Sequence, residues 1–248
     1  MESLLIKEQY KVVRVLRLGE HYAALQAVDI TSRSNDRYIL NVYEAELLKP
    51  YIVYFHDLKN CPDFVEMFVR NDSLVVVFSF TDGVPIDKIF YRGNKIPCGD
   101  CIDYADDLFK RALAISDQAP ALSCPRLMSG QLEFNQKEKR FVLRPVIAPM
   151  DEVNERELML LLRDQLLKIL LIKFDTVKTL RKYVRQLENT DKKTVPALYS
   201  EWCEVRNQLK TDAEDYARLP LAGKAASLLL INISDFFYQI FKGRKAGR

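Results

Sequence analysis

"DRYILNVYE", residues 36–44, is the stretch from which this chain is best read. Its centre is apolar, β-branched and aromatic, and charges bound it on both sides, so it reads as a strand. One polar residue, Asn41, stands in that centre. Before it, "YKVVRVLRL" (10–18) breaks at Gly19 and "AALQAVDI" (23–30) follows, which predicts two further strands joined by a short turn. After it, "ELLKPYIVYFHDLKN" (46–60) has helical spacing at Leu47, Leu48, Tyr51, Tyr54, Phe55 and Leu58, with Pro50 suited to a first turn. "FVEMFVRND" and "SLVVVFSFTDG" (64–83) then predict two strands around an Asn-Asp turn. The second is apolar on both faces and should be central.

The pattern changes beyond this point. "GVPIDKIF" (83–90) should leave the sheet and begin a helix. "CIDYADDLFKRALAIS" (101–116) is helical, with Asp100 as a capping candidate. "GQLEFNQKEKRFVLRPVI" (130–147) is a hairpin with a charged turn. The rest reads as helix: one long element from about Asp151 to Leu187, with room for a break, a second from about Pro196 to Arg218, and a third from Ala222 to Phe241. The expectation is an α+β chain, with a small five-stranded antiparallel sheet and one helix over residues 1–83. A mostly helical part with a short hairpin near 131–146 follows over residues 84–248.

Composition narrows the function classes. The chain has 248 residues, 37 basic and 34 acidic side chains and a net charge of +3, so no broad basic field for nucleic acid is expected. Five cysteines, Cys61, Cys98, Cys101, Cys124 and Cys203, are scattered, and "MESLLIKEQY" is too charged for a secretory leader, which makes a reducing, cytoplasmic setting the expectation. Cys98 and Cys101 have C-x-x-C spacing but lack a second ligand pair for zinc. The histidines are His21 and His56, and His56 reads as a surface or partly buried helix residue. "LMLLLRDQLLKILLIKF" (158–174) is interrupted by Arg163, Asp164 and Lys168, so it reads as a buried amphipathic helix rather than a membrane span. The chain's last residues, "FKGRKAGR", read as a solvated tail or as the flank of a membrane segment. Membrane association is expected only through a segment beyond Arg248.

The element order and several stretches resemble protein kinases. "VLRLGEHYAALQAVD" (15–29) resembles the glycine-rich first hairpin, with Gly19 at the first glycine. "YILNVY" (38–43) resembles the third strand, where the family pattern V-A-I-K carries its lysine. "LVVVFSFTDGVPIDKIF" (74–90) resembles the fifth strand and hinge, with Phe78 at the residue that gates the nucleotide pocket. "CPRLMSGQLEF" (124–134) falls where the catalytic loop belongs, and "FVLRPVI" (141–147) where the strand into D-F-G belongs. The likeness covers residues 10–147 and no motif is intact.

Phosphoryl transfer is mostly positioning and charge neutralisation, so each missing part counts. After Gly19 the loop reads "EHYAA", short and bulky where backbone N–H groups should close over phosphates. Asn41 replaces the lysine and brings no charge. Arg126 replaces the catalytic aspartate and cannot act as a base. The asparagine that holds the second metal aligns with Gln131, or with Gly130 one residue earlier. The metal-binding aspartate aligns near Arg144. The resemblance therefore implies a degenerate pseudokinase with no cofactor, a protein-binding scaffold in a signalling or secretion assembly, loosely similar to the kinase-like cytosolic module of the type VII secretion membrane component. The alternative is an atypical nucleotide-dependent phosphotransferase with re-sited charges. Protein partners are expected on the helices after Asp151, with Tyr199 and Trp202 as a candidate surface.

Overall fold

Apolar alternation and two tight turns build the first half of the molecule. The structure, a computed structural model, describes residues 4–33, 36–56, 58, 61–151, 153–173 and 176–226. Strands β1 (Leu5–Ile6), β2 (Tyr10–Gly19), β3 (Tyr22–Asp29) and β4 (Arg37–Tyr43) are followed by a 3-10 turn and helix α1 (Leu48–His56), then β5 (Phe64–Arg70) and β6 (Ser73–Ser79). They form one antiparallel sheet in the order β1-β2-β3-β4-β6-β5. Asn71 and Asp72 both take positive φ in the β5–β6 turn, as a two-residue hairpin of matching twist requires. The helix falls between the third and fourth of the five expected strands. The sixth strand, β1, was not expected. Two residues carry no periodicity, and it exists because Lys7 and Glu8 turn the chain back at positive φ.

The sheet's two faces are used differently. Ile39, Asn41 and Tyr43 of β4 point toward α1, where Tyr43 stacks on Tyr51 at 4.0 Å and Phe55 packs against Phe78. Leu40 points the other way, into a smaller cluster with Tyr10, Leu25, Val75 and Val77. β6 is buried from Leu74 to Phe78, as a central strand should be.

The second half is mostly helical. β7 (Val84–Pro85) leads through a 3-10 turn to α2 (Cys98–Ser116) and α3 (Pro120–Leu127). The hairpin β8 (Leu132–Asn135) and β9 (Arg140–Leu143) follows, then α4 (Glu155–Ile169), α5 (Lys178–Glu188) and α6 (Val195–Arg218). The expected hairpin belongs to a three-stranded sheet, because β7 pairs with β8; residues 83–90 begin no α-helix. α2 starts at Cys98, so Asp100 lies in its first turn and does not cap it. α3 was not expected, since Pro125 within it signals a break.

The helical run expected over about 151–187, with room for a break, is two helices. α4 is capped by Asn154, which accepts from the Glu157 N–H at 3.0 Å, and ends at Leu170. The Arg181 guanidinium donates to the carbonyls of Thr176 and Lys173 and so closes the loop between the two helices. The third expected helix, Ala222–Phe241, lies mainly outside the described residues; residues 221–226 are helical. Among the described residues no helix is long and apolar enough to cross a membrane.

Candidate functional site

β4 delivers Asn41 to the centre of the sheet, opposite Ala24 on β3 and Val76 on β6, with no side-chain exposure. A buried amide without partners would be costly, so its bonds must lie within the protein. Its Oδ1 accepts from the Tyr22 hydroxyl at 2.8 Å and from the Ile147 N–H at 2.9 Å, and its Nδ2 donates to the Pro145 carbonyl at 2.8 Å. Two positions along β4, the Tyr43 hydroxyl donates to the Ile147 carbonyl at 2.7 Å. The segment after β9 is thus tied beneath the sheet, and Val146, Ile147 and Ala148 join the same buried cluster as Tyr22, Tyr43 and Phe78. Burial pushes the hydroxyls of Tyr22 and Tyr43 well above the usual tyrosine range, so both stay protonated and act as donors.

Gly19 stands at the tip of the β2–β3 hairpin, whose turn is only Glu20 and His21. A Cβ there would meet nothing closer than 3.9 Å, so no close approach explains this glycine. His21 takes positive φ in the turn, with its Nε2 3.7 Å from Glu46. Gly83 differs: a Cβ on it would come within 2.7 Å of the Glu133 Cβ, and the close packing of β7 on β8 needs its absence.

Arg144 is not among the partners of Asn41. It pairs with the buried carboxylate of Glu133 at 2.9 Å and lies over the Phe80 ring. Burial pushes the Glu133 carboxyl up, and Arg144 opposes that shift. Gln131 is half-buried and serves through its backbone: its N–H donates to Met128 and its carbonyl accepts from Arg144 N–H at 2.9 Å. Arg126 is on α3, 3% exposed, in the wall of a separate cleft, and its partner is Asp63 at 3.7 Å. The structure thus brings Asn41 next to the 144–147 segment, whereas Arg126, Gln131 and Gly19 serve other places.

The candidate surface on α6 needs correction. Trp202 is fully buried: its ring stacks on Phe109 of α2 at 5.4 Å and its indole N–H donates to Asp106 at 3.0 Å. The α6 face that carries it is core, because apolar and aromatic residues recur there at helical spacing against α2. Tyr199 is half-buried beside it. Asp106 also accepts from Arg206 at 2.6 Å and Lys110 at 2.7 Å; burial works against its charge, but these bonds hold its carboxyl below the usual range. Cys98 is partly exposed and Cys101 buried in the first turns of α2. Among the described residues no cluster of three or more His, Cys, Asp or Glu could hold a metal.

Sequence reasoning missed Tyr22, Tyr43 and Glu133. Tyrosines on an apolar strand look like packing residues, and their hydroxyl partners are a carbonyl 104 residues away and a side-chain amide on the neighbouring strand, 19 residues on. No protein-family model matches the chain, and no curated protein matches it in sequence.

Proposed function

We propose that this chain is a catalytically inactive, kinase-like domain, a degenerate pseudokinase that binds protein partners as a scaffold in a signalling or secretion assembly. In this reading the six-stranded sheet with α1 is the N-lobe, and the rest is a reduced C-lobe. The observation that carries the proposal is the bonding of Asn41. At the position of the phosphate-neutralising lysine stands an uncharged amide, and all three of its hydrogen bonds go to the protein itself. It also binds the segment aligned with D-F-G, so that segment is held against the sheet instead of presenting a metal-binding carboxylate. Arg144, aligned there, is committed to Glu133. Such a cleft has no charge to spare for Mg-ATP.

The test is thermal unfolding with millimolar ATP and magnesium. A ligand at ten times its Kd would add about 1.4 kcal/mol. No shift is expected. A magnesium-dependent rise in Tm would overturn the proposal in favour of a phosphotransferase with re-sited charges.

A further inference from the structure

We infer that the cleft between α1, α2, α3 and β9 is a docking site for an acidic–apolar peptide segment of a partner protein, with Arg126 as its anion receptor. The cleft has a volume of about 840 Å³, within the range of about 300–1,000 Å³ usual for sites that hold small ligands. It is distinct from the region of Asn41. Its wall is mixed: the exposed Val53, Tyr54 and Pro62 offer apolar surface, while Arg126, Asp63 and Gln118 offer polar atoms.

The guanidinium of Arg126 points to the ligand. Its side chain is 97% buried, yet its Nε and Nη1 have no acceptor, and Nη2 has only Asp63 at 3.7 Å, beyond hydrogen-bond distance. Gln118 contributes a buried side-chain oxygen without a donor in the same cleft. A guanidinium carries five N–H donors in a rigid fork that matches a carboxylate. Burying it with one loose partner is costly unless another anion completes it. Asp63, its side chain 43% exposed, is a placeholder rather than a fixed partner. A ligand carboxylate displaces it at the guanidinium, and the ligand's apolar part lies on Val53, Tyr54 and Pro62. Charge complementarity therefore selects a carboxylate, and the apolar wall selects one carried on an apolar peptide rather than a free ion. This rests on the protein-binding reading above for the ligand's belonging to a partner.

The test titrates the full chain with three probes: the blocked peptide acetyl-Leu-Glu-Phe-Glu-amide, its glutamine counterpart, and inorganic phosphate. The readout is the arginine Nε–H NMR signal of Arg126, assigned by its loss in Arg126→Gln. The acidic peptide should move that signal and the glutamine peptide should not. Asp63→Asn should tighten binding several-fold by removing the competing carboxylate. Arg126→Lys keeps the charge but loses the fork and the Nε–H signal, so its binding is followed by calorimetry and should weaken at least about tenfold. Arg126→Lys removes the same Nε–H signal, so the assignment survives a misfolded Arg126→Gln, and Asp63→Asn, at a half-exposed position, should leave the fold intact. A signal that no probe moves, or one that phosphate moves as readily as the peptide, overturns the inference. The ATP titration is independent, so failure of the peptide leaves the inactive-domain reading standing, whereas a magnesium-dependent ATP shift removes that reading and not the cleft.

Discussion

An asparagine amide offers two donor hydrogens and an acceptor oxygen, and at Asn41 the surroundings use the oxygen twice and the nitrogen once. Putting back a lysine would not rebuild a nucleotide site. The ammonium could reach the Pro145 carbonyl, but the Tyr22 hydroxyl and Ile147 N–H would lose their acceptor, and a charge would be buried. We expect Asn41→Lys to lose about 3–5 kcal/mol in urea unfolding and to gain no ATP-dependent shift. Stability equal to the parent would sink this account. The sequence could show that Asn41 lacks the right charge for phosphate; it could not show what Asn41 binds, because those partners lie 104 and 106 residues along the chain. Asp29 gives a pH prediction at the same scale. Bonds from Thr31 first and then Gln9 hold its carboxyl down at about 2, against an ordinary 3.8. A depressed folded value means the stabilisation is present above pH 4 and is lost as pH falls from about 4 to 2. The contribution is about 1–2 kcal/mol. Asp29→Asn should therefore lower the urea midpoint at pH 6, with the gap to the parent narrowing steadily as pH falls from about 4 toward 2. A gap that does not change with pH would refute the assignment.

Elements with long, regular patterns were legible, and those held by single residues were not. β2–β6, α1 and α6 follow from alternation and helical spacing. β1, α3 and the α4–α5 break do not, because they depend on two positive-φ residues, a tolerated proline and the Arg181 loop bonds respectively. α6 shows how one pattern carries two meanings. Its buried stripe, Val195, Leu198, Trp202, Leu209 and Ala213, is core. Trp202→Ala should cost about 4 kcal/mol and leave Asp106 short of a donor, read as a lower midpoint in urea. Its opposite face exposes Glu204, Glu214 and Asp215. If protein partners dock on the helices after Asp151, reversing Glu204 and Asp215 to lysine should abolish capture of the partner at unchanged Tm, and Trp202 itself should make no contact. Capture that survives this change would move the interface off α6.

At the scale of the whole molecule the question is whether 248 residues behave as one cooperative body. Chains of this size often do not unfold in a single step. Here the sheet half and the helical half share a buried cluster, in which Leu122 of α3 and Val146–Ala148 pack with Tyr22, Phe55 and Phe78. The Asn41 and Tyr43 bonds fasten the same contact. Breaking the join would leave buried polar groups unpaired on both sides, so neither half gains by opening alone. Urea unfolding should therefore give one transition, with the same midpoint by Trp202 fluorescence, which reports on α2 and α6, and by amide exchange in β4 and β6. In Asn41→Ala combined with Tyr43→Phe, the join loses its side-chain hydrogen bonds while each half keeps most of its own core. The two readouts should then separate, with exchange in β4 and β6 rising at lower urea than the loss of Trp202 packing. Two transitions in the parent protein, or coincident ones in the double variant, would mean that the apolar contacts alone set the coupling and that Asn41 and Tyr43 only position the 145–148 segment.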